Sequence, residues 1–116
     1  MANQLENPDL PTILIYGHGD VTHGQDDAWD AGLSPFATVT RDGLLFGRGT
    51  ADNKGQHLIN LMALKTLIDL RGSLGFNAKV LIEMGEEIGS PGLDAFCAAQ
   101  RLALAADVLI ASDGPR

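Results

Sequence analysis

An α/β fold is what this 116-residue sequence predicts, with a sheet that has at least some parallel neighbours joined by right-handed crossovers. Three observations predict it. Short apolar, β-rich runs alternate with stretches of helical period, glycine or proline marks most changes of period, and each apolar run closes on polar residues fit for chemistry.

After the Pro8 and Pro11 breakers, TILIYGH is a short apolar run ending at a glycine and reads as a buried strand. Residues 19–43 are rich in Gly, Asp and Thr and read as a long loop. Connections beyond roughly 12–15 residues without structure of their own usually carry function, so this one is expected to carry a site. GLLFGRGT is a second short strand closing in glycines. From Asp52 to about Leu70, the residues Leu58, Leu61, Met62, Leu64, Leu67 and Ile68 recur at helical spacing, and Arg71 and Gly72 close that helix. NAKVLIEMG is a third strand, PGLDAFCAAQRLAL a second helix opened by Pro91, and ADVLIASDG a fourth strand.

With 45% hydrophobic residues and no repeat or low-complexity tract, the chain is expected to form a single domain spanning 1–116. The net charge of −7, from 8 Lys plus Arg against 15 Asp plus Glu, argues against nucleic acid or an anionic membrane as partner. Part of that excess suits carboxylates gathered around a cation. Cys97 is the only cysteine, which rules out an intrachain disulfide and makes a cytoplasmic setting the default expectation. No run approaches 18 apolar residues, and the polar opening MANQLENPDLPT lacks the features of a leader.

In open α/β sheets, sites form beyond the carboxyl ends of the strands. The polar residues fall there: His18 and Asp20 in YGHGDV, Asp52 in GRGTADNKG, Glu86 and Glu87 in IEMGEEIGS, and Asp113 in IASDG. If the strands are parallel, four segments deliver these groups to one edge. One His among several carboxylates, without a thiolate, suits zinc, manganese or cobalt, and two metals sharing a bridging carboxylate would use this many acidic ligands. Each residue alone also has a structural explanation. His18 could be a hydrogen-bonded strand end, Asp20 a loop cap, Asp52 the helix N-cap, Glu86 and Glu87 a solvated strand end, and Asp113 a turn. A continuing strand would point Glu86 and Glu87 to opposite faces. His23 and His57 read as solvated, Cys97 as a small buried residue, and Trp29 as packing over a site entrance or pinning the long loop.

The segments GHGDV, PFATVTRDGLLFGRGTADNKG, LIEMGEEIGS and SDG, in this order, resemble the zinc-dependent amidohydrolase and peptidase family that includes acetylornithine deacetylase, succinyl-diaminopimelate desuccinylase, carboxypeptidase G, aminoacylase and carnosinase. The likeness runs from about Ile13 to the last residue. It implies a three-layer fold, a mostly parallel mixed sheet flanked by helices, as part of a di-zinc exopeptidase-like catalytic domain. By resemblance, His18 binds one zinc and Asp20 orients its ring. Asp52 bridges both metals and precedes a cis peptide bond, Glu86 is the general base, Glu87 binds the second zinc, and Asp113 binds the zinc held by His18. Cobalt or manganese could replace zinc.

The implied reaction is amide hydrolysis of an N-acyl amino acid or a dipeptide by metal-activated water, with a small-molecule substrate as partner and room for a homodimeric parent. Family members run to several hundred residues, with an inserted lid domain and a final histidine ligand near the C-terminus. The chain is therefore expected to be a partial metal-binding catalytic domain, inactive alone. The competing expectation is a non-catalytic α/β module that binds metal or a protein partner.

Overall fold

The computed structural model describes residues 1–113. Its main sheet has four strands in the order β1 (Ala2–Gln4), β5 (Asn77–Glu83), β2 (Thr12–His18) and β6 (Val108–Ala111). β5 and β6 run parallel to β2 on its two sides, and β1 joins the outer edge of β5 antiparallel. With helices flanking it, the sheet is mixed and mostly parallel, as the alternating pattern predicts.

Register decides where the strands stop together. His18 pairs with Glu83 across β2–β5 and Tyr16 with Ala111 across β2–β6, so the three carboxyl ends share one edge. The Gly19 N–H to Glu83 carbonyl bond of 2.8 Å carries that alignment just past the strands.

The second predicted strand lies elsewhere. Residues 44–46 do not enter the main sheet; β3 (Val39–Arg41) and β4 (Leu44–Phe46) form a separate two-stranded hairpin. The Asp42-Gly43 turn, with φ of 54° and 77°, has the left-handed pair that matches the twist of two antiparallel strands. The segment read as loop to residue 43 therefore ends in a hairpin whose RDGL signal is visible in the sequence. Farther back the loop is pinned: Trp29 Nε1 donates to the Gly24 carbonyl at 2.8 Å, and the Arg48 guanidinium donates to the same oxygen while lying 5.6 Å from the Trp29 ring.

Helix α1 (Lys54–Arg71) packs on β2 and ends at Gly72, whose φ of 78° lets its N–H reach the Ile68 carbonyl. Its N-cap position is Asn53 rather than Asp52, without a side-chain capping bond. The expected second helix is broken into α2 (Leu93–Ala99) and α3 (Arg101–Leu104) at Gln100. Among the described residues the fully enclosed apolar core is small, made of Ile15, Leu74, Ala78 and Leu81, while Leu58, Ile59, Met62 and all four residues of β6 are exposed. No helix of the described residues is long and apolar enough to cross a membrane.

A buried side chain straps the N-terminal segment to β5. Asn77 is 4% exposed; its Oδ1 accepts the N–H groups of Glu6 and Asn7, and its Nδ2 donates to the carbonyls of Asn7 and Leu10. Asn77→Ala would leave those backbone groups unpaired beside the sheet, and a loss of about 2–4 kcal/mol is expected. Urea unfolding of the two proteins measures it; an unchanged midpoint would show that water replaces the amide at no cost.

Candidate metal centre

Each parallel strand end hands over a short polar segment. β2 delivers His18 and then Asp20, β5 is followed by Glu86 and Glu87, and β6 by Asp113. Asp52 arrives differently, from the turn that leads into α1 where that helix packs on β2. The structure thus brings four segments together, but only three are strand ends of the main sheet.

His18 is fully buried at the centre. Its Nδ1 lies 3.2 Å from the Asp20 carbonyl oxygen and 3.3 Å from Asp20 Oδ1, and since both can only accept, Nδ1 carries a proton. Its Nε2 faces Asp52 Oδ1 at 3.1 Å, Asp113 Oδ2 at 3.7 Å and Glu86 Oε2 at 3.8 Å. An imidazole lone pair surrounded by acceptor oxygens is repulsive unless a cation stands between them. Burial alone lowers the affinity of His18 for a proton, but the bonds to Asp52 and to the Asp20 backbone and the charges of Glu86 and Asp113 outweigh it, and its pKa is raised. Either a second proton or a metal ion would satisfy this ring. Two sets of donor atoms have the required proximity, His18 with Asp52 and Glu87, and His18 with Glu86 and Asp113; within each set the atoms lie within 4.8 Å of one another. Imidazole and carboxylate oxygens without sulfur form a donor set that fits zinc, manganese or cobalt.

Asp20 touches more than the imidazole. Its carboxylate also accepts the backbone N–H groups of Glu86 at 3.3 Å and Glu87 at 3.0 Å. Burial raises its pKa, but those N–H groups and His18 outweigh burial and hold it below the usual aspartate value. One side chain therefore sets the ring and the glutamate pair relative to each other. The pair itself departs from expectation: β5 stops at Glu83, and Glu86–Ile88 form a single 3-10 turn, so the two glutamates are not alternate residues of a strand. In this turn they belong to different donor sets. The peptide bond Asp52–Asn53 is cis.

Other contacts were not legible in the sequence. Tyr16 and Ser90 both donate to Glu83, the serine at 2.8 Å, which closes the loop carrying Glu86 and Glu87. Burial, reinforced by Glu83, raises the Tyr16 pKa. His57, expected in solvent, is half-buried with Nδ1 3.2 Å from Asn53 Oδ1, and burial together with the charges of His18 and Lys54 lowers its pKa. A helix residue four positions after Asn53 shares its face, which was the available signal. His23 is exposed as expected, and Cys97 is half-buried rather than enclosed. A cleft of about 440 Å³ lined by Trp29, Phe46, Arg48, Thr50, Asp52 and Glu87 adjoins the centre.

Comparison with known proteins places this geometry among relatives. The model of peptidase family M20/M25/M40 matches residues 14–116. The chain is 39% identical over 95 residues to Beta-Ala-His dipeptidase of Mus musculus, covering 81% of this chain and 19% of that protein. It is 38% identical over 108 residues to Cysteinylglycine-S-conjugate dipeptidase of Corynebacterium striatum, covering 91% of this chain and 23% of that protein. The crystal structure of the M20 family metallo-carboxypeptidase Sso-CP2 from Sulfolobus solfataricus superposes with a TM-score of 0.85 at 32% identity, covering 97% of this chain and 25% of that one. The chain thus spans about a fifth to a quarter of the length of these relatives.

Proposed function

The chain belongs to peptidase family M20/M25/M40, and from that membership we propose that it supplies the metal-binding part of a di-zinc hydrolase that cleaves the amide bond of a dipeptide or an N-acyl amino acid. The observation that carries the proposal is the buried His18 ring, with Nδ1 held as a donor by Asp20 and Nε2 turned on three carboxylates. Two of the relatives are named as dipeptidases, which supports a short peptide as substrate.

In this reading His18 and Asp113 would hold one ion, Glu87 a second, and Asp52 would serve both. When bound, divalent cations would polarise the scissile carbonyl and bring the pKa of water toward about 7. Asp20 keeps the His18 ring in the tautomer that leaves Nε2 free to bind, a role that carboxylates beside ligating imidazoles commonly fill. Glu86 takes the proton from the attacking water and hands it to the leaving amine. The cleft beside Asp52 and Glu87 would hold the substrate, with Arg48 and Trp29 in its wall. A cytoplasmic site of action is part of the proposal, in keeping with a lone half-buried cysteine.

The test has two stages. Calorimetric titration of the chelator-treated chain with zinc or cobalt is expected to show binding that His18→Ala abolishes. The full-length protein, loaded with zinc, is expected to hydrolyse dipeptides such as β-Ala-His or Cys-Gly, or N-acetylated amino acids. A chain that binds neither metal, or a metal-loaded full-length protein inert to every such amide, would refute the proposal.

A further inference from the structure

Beneath the donor atoms lies a single buried amide that none of the assigned roles uses. Asn53 is fully enclosed. Its Oδ1 accepts the backbone N–H of His18 at 3.1 Å, its Nδ2 donates to the Ser112 carbonyl at 3.1 Å, and through the chain it adjoins Asp52. The bonds to His18 and Ser112 each reach a residue that is, or directly precedes, a candidate ligand, while Nδ2 also donates to Gln56 Oε1 at 2.8 Å within the first turn of α1. His57 Nδ1 supplies the second donor to Oδ1, so the amide oxygen is satisfied twice.

The neighbourhood is built for this contact. Asn53 at the N-cap position of α1, and His57 and Asn60 four and seven residues on, lie on the side of the helix turned to β2 and to the segment after β6. Asn60 Nδ2 donates to Ser112 Oγ at 2.8 Å, so one amide at the N-cap of α1 and one within the helix grip the residue before Asp113. On the β2 side, a Cβ at Gly17 would meet Asn53 Oδ1 at 2.9 Å and His57 Cβ at 2.8 Å. Only a residue without a side chain lets the helix approach so closely.

We propose that Asn53 is a positioning residue, whose side-chain amide fixes the spacing of three metal-donor segments: the end of β2 with His18, the entry to α1 with Asp52, and the segment after β6 with Asp113. Asn60 reinforces the last of these through Ser112. The proposal rests on the metal-site reading for its consequence, but the tie itself is a property of the metal-free chain. The physical reason is rigidity. Donors from three segments must be preset within a fraction of an ångström if binding is not to be weakened by ordering them, and a buried amide with every bond satisfied leaves those segments little freedom.

Asn53→Asp preserves shape and the oxygen that accepts from His18, but turns an acceptor on the Ser112 carbonyl. Zinc affinity, measured by competition with a chelator, is expected to fall by about 10–100-fold, the range seen when groups supporting a ligand are removed. The visible absorption of the cobalt-loaded chain is expected to change as the Asp113 donor loosens. Ser112→Ala and Asn60→Ala remove one neutral bond, and each is expected to weaken zinc binding several-fold, with the double variant no worse than either single one. These two keep the question answerable if Asn53→Asp does not fold. In the metal-free chain, the His18 amide is expected to exchange slowly with solvent deuterium, and at least about tenfold faster in Asn53→Ala.

Wild-type zinc affinity and cobalt spectrum in Asn53→Asp, or in Asn60→Ala and Ser112→Ala where the former does not fold, would overturn the proposal. Fast exchange of the His18 amide in the parent chain would overturn the tie and leave the metal reading standing. A parent chain that binds no zinc but protects that amide would instead overturn the metal reading, and with it the positioning role.

Discussion

Glu86→Gln in the full-length protein is expected to retain its metal and lose a hundredfold or more in hydrolysis, while Glu87→Gln is expected to lose metal first. The substitutions are alike in size and leave the turn intact, because Asp20 holds residues 86 and 87 by their backbone N–H groups and not by their side chains. What differs is the company each carboxylate keeps. Glu87 lies in a donor group with Asp52 as well as His18, and in the proposed reading, where Asp52 and Glu87 would hold one ion, a neutral amide in its place removes charge that a dication requires. Glu86 groups with His18 and Asp113, 3.8 Å from Nε2, close enough to reach a water between the donors and to exchange a proton with it. A proton acceptor removed from such a reaction costs on the order of 10²–10⁴ in rate. Metal content and turnover of a dipeptide, measured on both variants, separate the roles. Should Glu86→Gln strip the metal while Glu87→Gln keeps it, the two assignments are exchanged; should both hydrolyse normally, neither residue serves catalysis.

Gly55→Ala is the second large effect, and its expected sign is opposite to the usual one. In an exposed helix, replacing glycine by alanine stabilises by about 1 kcal/mol. Here the new Cβ would stand 1.9 Å from the Thr50 carbonyl oxygen and 3.1 Å from its carbon, and backbone cannot swing aside as a side-chain tip can. Relief requires the 50–53 turn to move away from α1, and Asp52 and Asn53 lie within that turn. A destabilisation of about 3 kcal/mol is expected, together with loss of measurable zinc binding. Thermal unfolding and a zinc titration on the same sample check both; a variant more stable than its parent with intact zinc binding would show that the helix does not start against Thr50.

Much of the sheet was legible because its three parallel strands are runs of Ile, Val and Leu bounded by breakers, and that pattern survives burial on either side. β1 was not, since Ala2-Asn3-Gln4 is polar and exposed and is a strand only because β5 offers an edge. The break at Gln100 has no Gly or Pro to announce it. At the centre, residue types at strand ends pointed to His18, Asp20, Glu86, Glu87 and Asp113, because chemistry at a sheet edge uses the residues that follow the strands. From sequence Asp52 reads both as the group the second strand runs into and as the start of the long helix; it stands in the turn before α1, whose N-cap position is Asn53. Asn53 was invisible for a different reason. An asparagine before a helix is common, and only the three-dimensional meeting of β2, α1 and Ser112 distinguishes this one.

The register of β2 has a consequence for how the chain acquires its shape. Ile13 pairs with Ala78 on one side and with Val108 on the other, contacts that join residues roughly 65 and 95 positions apart. Ordering so much chain before any parallel pairing is rewarded makes such topologies slow, in the range of milliseconds to seconds for small domains. β2 lies between both partners, so its apolar run stays without neighbours until the 77–83 segment has been made. On a ribosome adding about 5–20 residues each second, that interval lasts several seconds. During it the strand bearing His18 is a candidate for chaperone capture, whereas α1, built from local bonds alone, can form as soon as its residues are available.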